Sequence, residues 1–159
     1  MKIAVYCVGK LKEGYWKEAV EEYSKRLKGY AKLEIVECPD LATPEKASPA
    51  EEEEIKGKEG KKILERLKPG DFVVALDLGK EEFDSPSFSR KMESWFRQGG
   101  SSISFLIGGS LGLSEELKKR ANASFSFGKM TFPHQLARVM LLEQLYRGFR
   151  IAHHEPYHK

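Results

Sequence analysis

The chain has 159 residues, two cysteines and a net charge of +3, with 40% hydrophobic and 32% charged residues. This size and balance fit one globular domain over residues 1–159 and exclude a disordered polar chain or a disulfide-stapled miniprotein. No apolar run approaches the roughly 20 residues needed to cross a bilayer. Met1-Lys2-Ile3-Ala4-Val5 leads straight into a strand-like pattern, so a cytoplasmic protein with no membrane partner is expected.

The charge is uneven along the chain. Residues 34–65 carry ten acidic against five basic groups, whereas residues 129–159 carry five basic groups, two acidic ones and all four histidines. That basic, histidine-rich end suits an anionic partner such as RNA. Lys2 to Val8 alternates around β-branched and aromatic residues, and Lys32 to Cys38 repeats the pattern, so both read as strands. Between them, Trp16, Ala19, Val20, Tyr23 and Leu27 recur at helical spacing. Cys7 and Cys38 lie within the two strand-like runs and read as buried free thiols.

Ser48-Pro49-Ala50-Glu51 combines a capping hydroxyl, a proline at the first helical position and a glutamate placed for a capping box. The helix predicted there is interrupted by Gly57 and Gly60 and stops at Pro69-Gly70, with Glu51 to Glu54 as a solvated first turn. Asp71 to Leu78 is nearly continuously apolar, as expected of a mid-sheet parallel strand. A helix opening at Ser85-Pro86, a strand from Ser102 to Ile107, a short helix from Ser114 to Ala121 and a short strand from Ser124 to Phe127 follow. A long helix from Pro133 to about Ala152 closes the series. The rhythm predicts an α/β protein with an open, mostly parallel sheet and helices on both faces.

Ligands of such sheets sit beyond the carboxyl ends of the strands. Gly9 to Gly14 lacks the G-x-G-x-x-G spacing of a dinucleotide fold, and no P-loop is present. Gly108-Gly109-Ser110-Leu111-Gly112-Leu113 permits close backbone approach to a ligand, and equally reads as a tight turn capped by Ser114. Phe127 to Phe132 can surround a flat heterocycle, with Met130 and Phe132 either as walls of the site or as core residues. His134 reads as a proton-transfer group or a structural histidine. The last helix is apolar around much of its circumference, from Leu136 through Met140 to Ile151, which points to a twofold homodimer. Glu143 and Arg147 have ion-pair spacing. Pro156 breaks the alignment that His154 and His158 need to share a metal, so no metal site is expected.

The segments LIGGSLGLS, FGKMTFPHQLARVMLLEQLYRGFRI and HEPYHK, with KIAVYCVGKLKEGYWKEAVEEYSKRL at the start, closely resemble the ribosomal RNA large subunit methyltransferase H family of the SPOUT superfamily. The resemblance covers essentially the whole chain. It implies a C-terminal trefoil knot, a homodimer, and S-adenosyl-L-methionine as donor for methylation of the N3 nitrogen of a pseudouridine in large-subunit ribosomal RNA on the assembled ribosome. Carried over by motif, the cofactor pocket falls on Leu76, Gly108, Phe127, Gly128, Lys129, Met130, Thr131 and Phe132, and the activity-related positions on His134, Arg147, Tyr157 and Lys159. A methyl donor that brings its own electrophile requires no metal. His134 and the tail residue His158 are both candidates for taking the imide proton, Arg147 for stabilising charge or holding a phosphate, and Tyr157 for contacting the base. The competing readings are a non-catalytic ribosome- or RNA-binding protein of the same fold and a flavodoxin-like nucleotide-binding module.

Overall fold

Strands and helices alternate without exception along the computed structural model, which describes residues 1–159. They are β1 (Lys2–Val8), α1 (Gly14–Leu27), β2 (Lys32–Cys38), α2 (Pro49–Leu64), β3 (Val73–Leu76), α3 (Ser85–Gln98), β4 (Ser102–Ile107), α4 (Glu115–Arg120), β5 (Ala123–Phe125) and α5 (His134–Ala152). The five strands form one sheet in the order β2-β1-β4-β3-β5, and every pairing is parallel, with Val5 opposite Ile35 on one side and Phe105 on the other.

The strand pleat divides the core in two. Ile3, Val5, Cys7, Ile103 and Phe105 point to one face, where they pack with Val20 and Leu27 of α1, Trp95 of α3 and Leu141, Leu145 and Phe149 of α5. Val8, Cys38, Val73, Ala75 and Leu106 point to the other, against Ile63 of α2 and Leu117 of α4. Both cysteines are buried and unpaired. Because Cys7 and Cys38 face opposite sides of the sheet, a disulfide between them is excluded by geometry.

Several boundaries differ from the sequence reading. Ser48 accepts from the Glu51 N–H and the Glu51 carboxylate accepts from the Ser48 N–H, so the expected capping box forms. The glycines beyond it do not interrupt α2, however. A Cβ on Gly60 would lie 2.4 Å from Ser114 Oγ, so its missing side chain lets α2 close on α4. The strand expected over Asp71 to Leu78 keeps only Val73–Leu76 and lies one place from the centre, which β4 occupies. The strand expected over Ser124 to Phe127 moves back to Ala123–Phe125. At Ser126 the chain turns, because the side-chain oxygen donates to Gly128 O (2.6 Å) and accepts from Gly128 N (3.2 Å).

Candidate active site

An open cleft of about 940 Å³ lies over the carboxyl ends of β3 and β4 and against the start of α5. Its volume is in the range of sites that bury a ligand of several hundred daltons. Leu76, Asp77 and Leu78 form one wall, Ile107 to Leu113 the second, and Ser126, Phe127, Met130 to Gln135 and Ala137 the third. Leu76, Gly108, Phe127, Met130, Thr131, Phe132 and His134 therefore converge here, whereas Gly128 and Lys129 belong to the same loop without lining the cleft. Met130 is 77% and Phe132 36% exposed, so both are walls and neither is core.

Gly108 is required by the turn itself. A Cβ there would come within 2.5 Å of the Gly112 carbonyl carbon and 2.9 Å of Leu113 N. Gly112, at φ +87°, donates its N–H to Gly109 O (3.0 Å) and closes the loop. Ser114 then caps α4 by accepting from Leu117 N (3.2 Å). The tight-turn reading of this segment holds, and the turn lines the cleft with its backbone. Asp77, with Lys118 Nζ at 3.7 Å, and Lys56 add one acidic and two basic side chains to the lining.

His134 stands where the cleft meets the end of β1. Arg138, one turn along α5 and 1% exposed, donates to Gly9 O (2.7 Å), to the Glu37 carboxylate (2.7 Å) and to His134 Nδ1 (3.4 Å). An arginine has no acceptor, so Nδ1 must accept and the neutral imidazole carries its proton on Nε2. Burial, reinforced by the Arg138 charge, holds the His134 pKa below its ordinary value. Glu37 also accepts from Leu11 N (2.8 Å), and a Cβ on Gly9 would meet the His134 ring at 3.3 Å. The Gly9 loop therefore supports the site through His134 without lining it.

Arg147, Tyr157, His158 and Lys159 are elsewhere. Thirteen residues separate His134 from Arg147 on α5, about 20 Å along the axis. The helix ends in a Schellman turn, with His154 N–H on Ile151 O (3.1 Å), Glu155 N–H on Arg150 O (2.9 Å) and His154 at φ +55°. The tail then folds back along α5. Arg147 donates to Glu143 Oε1 through Nε (2.9 Å) and Nη2 (2.5 Å), and to His158 Nδ1 through Nη1 (3.2 Å). It also lies over the Tyr157 ring at 4.7 Å. The Tyr157 hydroxyl donates to Glu143 Oε1 (3.1 Å), and its ring meets Tyr146 edge-on at 4.9 Å. Lys159 is exposed. Burial, then the Glu143 charge, raises the Tyr157 pKa and keeps the phenol neutral.

The family model described as "Predicted SPOUT methyltransferase" matches residues 1–158. The chain belongs to the SPOUT methyltransferase family. Within this SPOUT family it is 58% identical to the ribosomal RNA large subunit methyltransferase H 1 of Clostridium perfringens (strain SM101 / Type A), over the full length of both chains. Full-length identities of 57% and 54% relate it to ribosomal RNA large subunit methyltransferase H proteins of Clostridium acetobutylicum and Clostridium beijerinckii.

Residues to which the sequence reading assigned no part in the site include Asp77, Glu37 and Arg138. Asp77 follows an apolar strand at its carboxyl end, where ligands of open parallel sheets sit. Arg138 sits one turn from His134 among buried leucines, and a charge on a core stripe is itself a signal. Glu37 carried no comparable mark, since it looks like an ordinary strand carboxylate until Arg138 is in place. No group of three His, Cys, Asp or Glu side chains is placed to hold a metal, and no helix is long and apolar enough to cross a membrane.

Proposed function

We propose that this protein methylates the N3 nitrogen of a pseudouridine in large-subunit ribosomal RNA, using S-adenosyl-L-methionine and acting as a cytoplasmic homodimer on the assembled ribosome. The observation that carries the reading is the cleft over β3 and β4, which gathers the Leu76, Gly108 and Phe127 to Phe132 segments in a SPOUT chain. Apolar walls suit the adenine, while Asp77 and the lysines Lys56 and Lys118 suit a ligand carrying both an ammonium and a carboxylate. When bound, S-adenosyl-L-methionine supplies an electrophilic methyl group, so the protein's task is alignment and exclusion of water.

The acceptor nitrogen starts as an imide N–H and has to lose its proton. His134 and His158 are the available imidazoles, and each receives an arginine N–H on Nδ1. The homodimer is supported by the half-buried Leu136, Val139, Met140 and Ile151 on α5 and by the separation of the tail from its own cleft. The trefoil knot comes from the resemblance. Its support here is that residues 126–133 return from the edge strand β5 to the ends of β3 and β4.

A flavodoxin-like module is disfavoured because its strand order is 2-1-3-4-5, whereas this sheet runs β2-β1-β4-β3-β5. Labelled S-adenosyl-L-methionine incubated with ribosomes from a strain lacking the activity, followed by nucleoside mass spectrometry, tests the proposal. Label in N3-methylpseudouridine is expected, with protein-free RNA a poor substrate. No label, or label in another nucleoside, overturns the assignment, and equal turnover on naked RNA overturns the ribosome requirement. Light scattering should give about twice the 18.1 kDa chain mass.

A further inference from the structure

The tail's course is decided before Tyr157, at a cluster that joins the two ends of the chain. Tyr30, in the turn between α1 and β2, donates its O–H to the Glu155 carboxylate, 3.0 Å from both oxygens. Arg150 donates through Nη1 to Glu155 Oε2 (2.5 Å) and to the Tyr30 oxygen (3.1 Å), and through Nη2 to the Pro156 carbonyl (2.8 Å). Tyr30 is fixed in turn by stacking on Phe149, with ring centroids 5.2 Å apart and planes 8° from parallel.

Two local costs coincide at this cluster. His154 is a non-glycine residue in the left-handed region, and Arg150 Nε is buried with no partner. A chain end that needed only to be covered would avoid both, for example with glycine after the helix and an aliphatic residue at 150. What the arrangement does deliver is a fixed direction: one guanidinium holds the Glu155 side chain and the Pro156 backbone together, so the following residues leave α5 at a set angle. Arginine's planar fork makes this double grip possible, and a lysine ammonium does not reproduce it.

We propose that Tyr30, Arg150 and Glu155 are positioning residues for methyl transfer, a latch that fixes where the tail leaves α5 and so where Tyr157, His158 and Lys159 are delivered. This rests on the reading that the tail takes part in the reaction. The latch touches no substrate itself; it acts through the three terminal residues, Tyr157 to Lys159.

Tyr30→Phe, Glu155→Gln and the double variant, all in the full-length protein, test it by single-turnover methylation of ribosomes, calorimetry with S-adenosyl-L-methionine and light scattering. Each single variant is expected to lose at least about tenfold in the rate of transfer, with cofactor affinity, dimer mass and ribosome KM unchanged. The double variant is expected to be no slower than the worse single one, because both remove the same contact. Arg150→Lys is expected to fail as well, despite keeping the charge. Wild-type rates in the single variants, multiplicative losses in the double, or full rescue by lysine overturn the latch. Deleting Tyr157 to Lys159 separates the two claims. A truncated protein at full rate removes the tail reading, whereas an inactive truncation beside fully active latch variants removes the latch alone.

Discussion

The buried node around Arg138 allows a prediction in which a second substitution repairs the first. Arg138 is 1% exposed on its side chain, whereas Glu37, its only carboxylate partner, is 34% exposed. The two members of the pair are therefore unequal: Glu37 can turn back to water when its partner goes, and Arg138 cannot. Glu37→Gln keeps an acceptor for Leu11 N but leaves a guanidinium buried beside no negative charge, which costs about 3 kcal/mol, the low end for a broken buried pair because the amide oxygen still accepts. Arg138→Met removes the charge and keeps most of the apolar stem, leaving the Gly9 carbonyl short of a partner at about 1–2 kcal/mol. The double variant should thus be more stable than Glu37→Gln alone. The pH dependence has a definite sign. Burial pushes the Glu37 carboxyl up, but Arg138 and the Leu11 N–H outweigh it and hold the pKa below its ordinary 4.5. A depressed carboxylate contributes stability above its unfolded pKa and loses it as pH falls through the folded one, so the wild-type protein should weaken below pH 4.5 and the two variants should lose that component. Urea unfolding at pH 7 and across the acid range measures both effects. A double variant less stable than Glu37→Gln, or Arg138→Met costing more than Glu37→Gln, would refute the reasoning.

Gly108→Ala should displace the 108–112 turn, since its Cβ meets loop backbone at 2.5 Å, and lower S-adenosyl-L-methionine affinity at least about tenfold by calorimetry. Gly57→Ala, where a Cβ meets nothing within 4 Å inside α2, is the control and should stabilise the protein by about 0.5–1 kcal/mol. His154→Gly relieves the left-handed residue at the end of α5 and should raise stability by about 0.5–1 kcal/mol, read as a melting temperature higher by about 2–4 °C per kcal/mol; an unchanged or lower midpoint counts against strain at that turn.

Local chemistry was legible wherever it was local. The capping box at Ser48 and the alternation of Lys2 to Val8 need only neighbouring residues, and both appear as read. Gly60 was misread as a helix interruption because its purpose lies on another helix, 54 residues away at Ser114. The same limit explains the site. The Gly108 and Phe127 loops could be grouped because both follow strands, and strand ends share one edge of a parallel sheet, whereas Leu76 joined them through the resemblance alone. Glu143 was read as the ion-pair partner of Arg147, and it is, but the same oxygen also receives the Tyr157 hydroxyl. Nothing before the tail folded back could announce that second partner, because the reversal includes a single residue, His154, in a conformation its side chain disfavours.

The helix α5 sets the cleft and the tail at opposite ends of one chain. Its first turn carries His134 into the cleft, its last turn carries the latch and the tail, and about 20 Å of rigid helix keeps them apart. Bending the helix to join them would expose Leu141, Leu142, Leu145 and Phe149, all essentially buried, at about 1.5–3 kcal/mol for each. The remaining way to bring a tail to a cleft is a second copy. In the proposed homodimer, a twofold axis beside the midpoint of α5 would set two such helices antiparallel, so that each tail approaches the opposite cleft while Leu136, Val139, Met140 and Ile151 gain cover that they lack in one chain. A rigid helix, an apolar flank and a tail held away from its own cleft all fit the proposed dimer, in which the tail of one chain would complete the cleft of the other.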